Sequence, residues 1–154
     1  MTLEELKENL KHLPHYVIEV GVVDQSSKRK ETATLGITNA QIMFINENGS
    51  PARHIPSRPV LAMTIEWANT NLLRPTMSKF YDVLLSSNFN YALAEQELNK
   101  MCMRMQTYAR KIIYSNDGQL APNAPSTIAR KGDNHPLFDT GQLARSITCI
   151  LRKL

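Results

Sequence analysis

The sequence predicts an α+β fold: a small, mostly antiparallel sheet packed against a long amphipathic helix, with additional short helices. Three observations carry this. From about Asn88 to Tyr114, apolar residues (Tyr91, Ala94, Leu98, Met101, Cys102, Met105, Tyr108, Ala109 and Ile112) recur at helical spacing, while Glu95, Asn99, Arg104 and Lys111 fall on the other side. Tyr16–Val23 is rich in β-branched residues, and Ser146–Arg152 reads as the last strand. Cap and turn residues separate these segments from several shorter helical patterns.

Taken in order, Thr2 and Glu5 form a capping box that opens the first helix, and Leu3, Leu6, Leu10 and Leu13 share one side of it. Pro14 stops it. The Tyr16–Val23 strand leads into a polar loop, Asp24–Glu31, and Thr32–Leu35 is a candidate return strand. Thr38 and Gln41 make a second capping box, and Gly49 suits a left-handed end to that helix. Ser50–Pro59 holds three prolines, so it is expected to run extended. Pro59 then fits the first position of a third helix, with Leu61, Thr64, Ile65, Ala68 and Leu72 facing inward. Pro75 begins a fourth, with Met77, Phe80, Tyr81, Leu84 and Leu85 on one side. After the long helix, Ser115–His135 reads as a loop containing a short strand at Thr127–Arg130.

At 154 residues the chain supports one domain, 1–154, with a real core. Its 42% apolar content excludes disorder throughout. No apolar run approaches the ~18 residues of a membrane span, so no membrane partner is expected. Met1–Leu13 is charged and amphipathic, unlike a secretory signal. Cys102 and Cys149 both lie in apolar patterns and read as reduced core thiols made in a cytosol. The net charge of +4 permits an acidic or nucleic-acid partner without demanding one. The tightest basic run, Lys28-Arg29-Lys30, reads as a solvated loop tip rather than a phosphate site, for no aromatic residue interleaves it.

Nothing in the sequence carries recognisable catalysis. A phosphate loop, a dinucleotide fingerprint and a zinc signature are all missing. His12 and His15 are split by Pro14, and His54 and His135 have no partner at motif spacing. The expectation is a non-enzymatic interaction protein without cofactor or metal.

The segment Pro136–Ile147 reads as a turn with a helix start built in. Asp139 is a candidate N-cap, Gln142 its capping-box partner, and Gly141 permits a close backbone approach. With Thr140 they form a structural turn, and such a cap stabilises by about 1 kcal/mol. Asp139-Thr140-Gly141 is also the signature of aspartic proteases, in which two aspartates share a proton. That fold needs a long all-β chain downstream, and only 13 residues follow Gly141.

Four segments follow one another in a telling order: Asn46-Glu47-Asn48-Gly49, Ile55-Pro56-Ser57-Arg58-Pro59-Val60-Leu61, Thr127-Ile128-Ala129-Arg130-Lys131 and Pro136-Leu137-Phe138-Asp139-Thr140-Gly141-Gln142-Leu143. Together they resemble the neck and tail-completion proteins of tailed bacteriophages, the virion-morphogenesis group. Members typically show a helix ending in Asn-Glu-x-Gly, an Ile-Pro-x-Arg-Pro-Phe segment and a terminal Pro-Leu-x-Asp-Thr-Gly-x-Leu. The resemblance spans about Tyr16 to Leu154 and leaves out the first helix. Val60 stands where the family commonly has Phe, and Met101-Cys102-Met103 where many members have a glycine-containing segment.

The resemblance implies a structural virion protein assembled in the host cytoplasm. It would sit at the head–tail junction as a neck, tail-completion or tail-terminator component, as a homo-oligomeric ring, most often of six subunits. Its partners would be other neck, connector and tail-tube proteins, with packaged DNA close by. Arg53, Ile55, Pro56, Arg58 and Pro59, on a stiff segment, are candidate contacts between subunits, with Arg130 and Lys131 on the second loop. Arg58 has a second reading, pairing within its own subunit with Asp139 or Glu47. The Ser115–His135 loop is expected to be mobile in the free protein and ordered in the particle, so deleting Gly118–Thr127 should leave a folded monomer. The alternative function is a small basic nucleic-acid-binding protein, against which the missing helix-turn-helix pattern counts.

Overall fold

The computed structural model describes residues 1–23 and 36–154. The expected loop Asp24–Glu31, its basic run and the return strand Thr32–Leu35 lie outside the described residues. The elements run α1 (Leu3–Lys11), β1 (Tyr16–Val22), α2 (Asn39–Asn48), α3 (Val60–Asn71), α4 (Leu73–Ser86), α5 (Tyr91–Ser115), α6 (Pro125–Lys131), α7 (Gln142–Ser146) and β2 (Ile147–Lys153). This is the α+β architecture the sequence predicts.

The two strands pair antiparallel, with Tyr16 opposite Lys153 and Val22 opposite Ile147. Alternation sets the two faces. Ile18, Val20, Cys149 and Leu151 pack against core clusters, whereas Val17, Glu19, Ile150 and Arg152 are exposed. A two-stranded ribbon is marginal by itself, so it depends on the helix beneath it.

That helix is α5, 25 residues long and about 37 Å at 1.5 Å per residue. Asn90 caps it by accepting from the Leu93 amide, so it starts slightly later than the spacing suggests. It supplies all three core clusters in turn. Ala94 and Leu98 pack with Phe80, Leu84 and Phe89. Met101 and Met105 pack with Ala68 and Leu72. Ala109, Ile112 and Ile113 pack with Met43, Val60, Leu143, Ala144 and Ile147. Burying a side chain such as Leu84, which is fully enclosed, contributes about 2 kcal/mol.

Both expected capping boxes form: Thr2 with Glu5 on α1, and Thr38 with Gln41 on α2. Elsewhere the structure corrects the sequence reading. The inner face of α3 is Val60, Thr64, Ala68 and Leu72, while Ile65 stays 47% exposed. On α4, Tyr81 and Leu85 likewise face out. Ser50–Pro59 is not extended: Pro51–Arg53 forms a single 3-10 turn and Ser50 bridges to Ile55. A proline suits the first position of such a turn, so three prolines do not keep the segment straight. Thr127–Arg130 lies in helix α6, not in a strand, with Pro125 at its start and Gly132 closing it in the left-handed conformation. Cys102 and Cys149 are joined as a disulfide rather than held as thiols, because β2 brings Cys149 directly over α5. Among the described residues, no helix is long and apolar enough to cross a membrane.

Candidate functional site

The four sequence segments singled out above meet at one place. A cleft of about 180 Å3 is lined by Asn46 from the end of α2, by Arg58, by Thr127, Arg130 and Lys131 from α6, and by Leu137 to Leu143. They lie at the end of α5 that carries Ile112 and Ile113.

Arg58 is the hub. It is only 6% exposed. Its guanidinium donates to Ala121 O (2.7 Å), Pro122 O (2.7 Å) and Asn46 Oδ1 (3.0 Å). A planar fork can serve three acceptors at once, which an ammonium on a flexible stem cannot match. Burial pulls its pKa down. The pairing is within the chain, as one of its two readings held, but the acceptors are neither Asp139 nor Glu47. As an intersubunit contact Arg58 is therefore spent: its side chain faces inward.

Glu47 has a different task. Its carboxylate accepts from the amides of Leu61 (3.0 Å) and Ala62 (2.7 Å), the open start of α3. Pro59, at the cap position of α3, makes no side-chain hydrogen bond there, so the cap comes from another helix. Gly49 lets α2 approach this closely. Its φ is +73°, and a Cβ there would meet the backbone nitrogen of Ser57 at 2.9 Å.

Lys131 is also turned inward. Its ammonium donates to His135 O at 2.9 Å and to Phe138 O. Burial lowers its pKa, against the opposing pull of Asp139 and Asp133. It thus clamps the turn in which Leu137 adopts a φ of +61°. His135 stacks on Phe138 and donates to Ile113 O (2.6 Å), tying the turn to α5.

Asp139 is not the cap of α7. It is exposed, and Gly141 occupies the cap position at φ +76° without any side-chain cap bond. The Gln142 box is absent for the same reason: the chain enters α7 through a left-handed glycine, not an extended Asp. A Cβ on Gly141 would meet Arg145 Nη1 at 2.9 Å and the Phe138 ring at 3.3 Å, so what comes close there is side chains and not the expected backbone. Thr140 is exposed beside it.

Of the remaining candidates, Arg53 and Pro56 are exposed on the turn, and Ile55 and Pro59 are half-buried. Arg130 is exposed on the cleft and has no hydrogen-bond or ion-pair partner among the described residues. Asn123 Nδ2, also on the cleft, is buried without a partner. The Ser115–His135 segment, expected to be a loop, contains helix α6 and meets the body through the carbonyls that Arg58 holds.

Sequence reasoning named Asn46 and Glu47 in a motif, and Glu47 as a partner for Arg58, but missed what they do, and it did not single out Asn123. The signal for Glu47 was present: a helix beginning at a proline without Ser, Thr, Asp or Asn before it needs a cap from outside. Among the described residues, no three His, Cys, Asp or Glu side chains gather in a way that could hold a metal ion. No known protein family, no curated protein and no solved structure matches this chain.

Proposed function

We propose that this chain is a structural, non-enzymatic virion protein of the tailed-phage head–tail junction, working as a ring of subunits, most simply six. One observation carries the reading: the four segments that resemble the virion-morphogenesis group converge on a single braced cleft. Segments up to about a hundred residues apart in sequence share one three-dimensional task, as a conserved family framework would require. Arg58, Glu47 and Lys131 hold that framework, while Arg53, Pro56 and Arg130 stand on its outer surface as contacts for a neighbour. Unpaired guanidinium groups on a rigid surface suit carboxylates of an adjacent subunit or ring.

The reading is tested by mass spectrometry and labelled electron microscopy of purified particles from a phage encoding this chain. The expected result is the protein at the head–tail junction in the copy number of one ring. Its absence from purified particles would overturn the proposal. A gel-shift titration addresses the alternative: tight DNA binding by the isolated chain that falls steeply with salt would favour a nucleic-acid-binding protein.

A further inference from the structure

A second depression lies toward the other end of α5. It is an apolar groove of about 410 Å3 between the start of β1, α3, α4 and α5, with Ile18, Ala68, Phe80, Leu98, Met101 and Met105 among its walls. Its rim is apolar yet open to water: Ile65 is 47% exposed, Leu73 43% and Tyr81 41%. Large side chains clustered this way around one depression mark an interaction surface.

Helix α1 supplies the matching half. Its start is fixed by the capping box and its leucines share one side, yet none of its residues is buried. Leu6, with Leu13 just beyond the helix, leans on the Phe80–Leu98 cluster. Leu3, at 66% exposure, and Leu10, at 43%, are left in water. The chain enters the groove only after α1 has ended, through Leu13, Pro14 and His15, so its own α1 leaves the groove open. Charge is the weaker guide. Arg74 and Lys79, next in sequence to the groove residues Leu73 and Phe80, have no ion-pair partner among the described residues, but on α1 Glu4 already pairs with Lys7, Glu8 with Lys11 and His12, and Glu5 closes the capping box. These pairs are exposed and easily exchanged, and Asp82 and Glu66 also stand on the groove helices, so charge biases the register and the apolar contact carries the fit.

We propose that the groove is the seat for α1 of a second copy of this chain. The mode is a helix laid in a groove, with Leu3 and Leu10, seven residues apart on one side, as the anchors. The contact is heterologous, because α1 of one copy meets the groove of the next. Repetition therefore closes a ring or runs on as a filament. The biological setting rests on the ring reading above, but the contact itself stands or falls separately.

The test uses the full chain. Leu10 is replaced by photoreactive benzoylphenylalanine in a light-isotope preparation, which is mixed with heavy-isotope wild type, irradiated and read by peptide mass spectrometry. Cross-links from light position 10 to heavy peptides within Ile65–Tyr81 are expected. Cross-links confined to single light chains, cross-links to heavy peptides elsewhere, or none at all would overturn the proposal. Leu10→Glu provides the second arm, since the residue is already half in water and the fold tolerates the change. Association measured by sedimentation should weaken about tenfold or more, with an unchanged circular dichroism spectrum. Unaltered association would contradict the contact. Rings that form without these cross-links would refute the groove and leave the ring reading intact; cross-links without closed rings would do the reverse.

Discussion

The two ends of α5 are finished in opposite ways. At the Ile112–Ile113 end, polar groups close the structure: Arg58 binds two carbonyls and an amide oxygen, Glu47 caps α3, and Lys131 holds a turn. At the Ala94–Met105 end, apolar walls surround an open groove, and α1 rests beside it with no buried residue. The first end is closed largely by the chain's own polar groups, with Arg130 and Asn123 Nδ2 left over on its cleft, whereas the second leaves apolar surface open to water. The contrast teaches that the most distinctive sequence segments mark a polar brace, and that the open apolar surface lies at the other end.

Substitutions can break this contrast. The largest loss is expected from Arg58→Ala, which strands Asn46 Oδ1 and the carbonyls of Ala121 and Pro122: about 3 kcal/mol in urea unfolding. Arg58→Lys should recover less than half, because one ammonium cannot reproduce the fork. Gly49→Ala comes next, at about 2 kcal/mol, since the positive φ and the contact with Ser57 both resist a Cβ. Glu47→Ala should cost about 1 kcal/mol through the lost cap of α3. At the groove end, Ile65→Glu should change monomer stability by no more than about 0.5 kcal/mol while weakening self-association.

A titration sharpens the same comparison near the sheet. The Tyr16 hydroxyl donates to Glu95 at 2.8 Å and holds that carboxyl below its ordinary range; burial opposes this, and Lys153 at 3.2 Å reinforces it. A carboxyl depressed in the folded state stabilises above its unfolded pKa, and that contribution is lost as pH falls through the folded one. Glu95→Gln should therefore flatten the loss of stability below about pH 4.5, measured by denaturant unfolding at several pH values. The smallest effect is expected at Asp139. Asp139→Ala should shift stability by less than about 0.5 kcal/mol, not the 1 kcal/mol that a cap would cost, because Asp139 is exposed and caps nothing.

The framework was legible in the sequence wherever one rule acted alone. Apolar periodicity located α5, β-branched runs located both strands, and Thr-x-x-Glu/Gln patterns located the starts of α1 and α2. Tertiary demands defeated the rest. Asp139 and Gln142 have capping-box spacing, yet Gly141 takes the turn in a left-handed conformation, which puts glycine rather than Asp139 at the cap position. Thr127 and Ile128 have strand propensity, but Pro125 and Gly132 frame one helical segment around them. Pairing of Arg58 within the chain was one of two readings, but its acceptors were not foreseen, because two of them are backbone carbonyls about sixty residues away, which no side-chain pattern reveals. The same carbonyls lie within Gly118–Thr127, so deleting that segment should destabilise the fold rather than leave it intact.

Native mass spectrometry of the purified full chain tests the central claim most directly. The account predicts one closed assembly, six chains being the expected number, that dissociates to folded monomer with Leu10→Glu and persists with Asp139→Ala. A chain that stays monomeric at every concentration up to those of a phage-producing cell would contradict it.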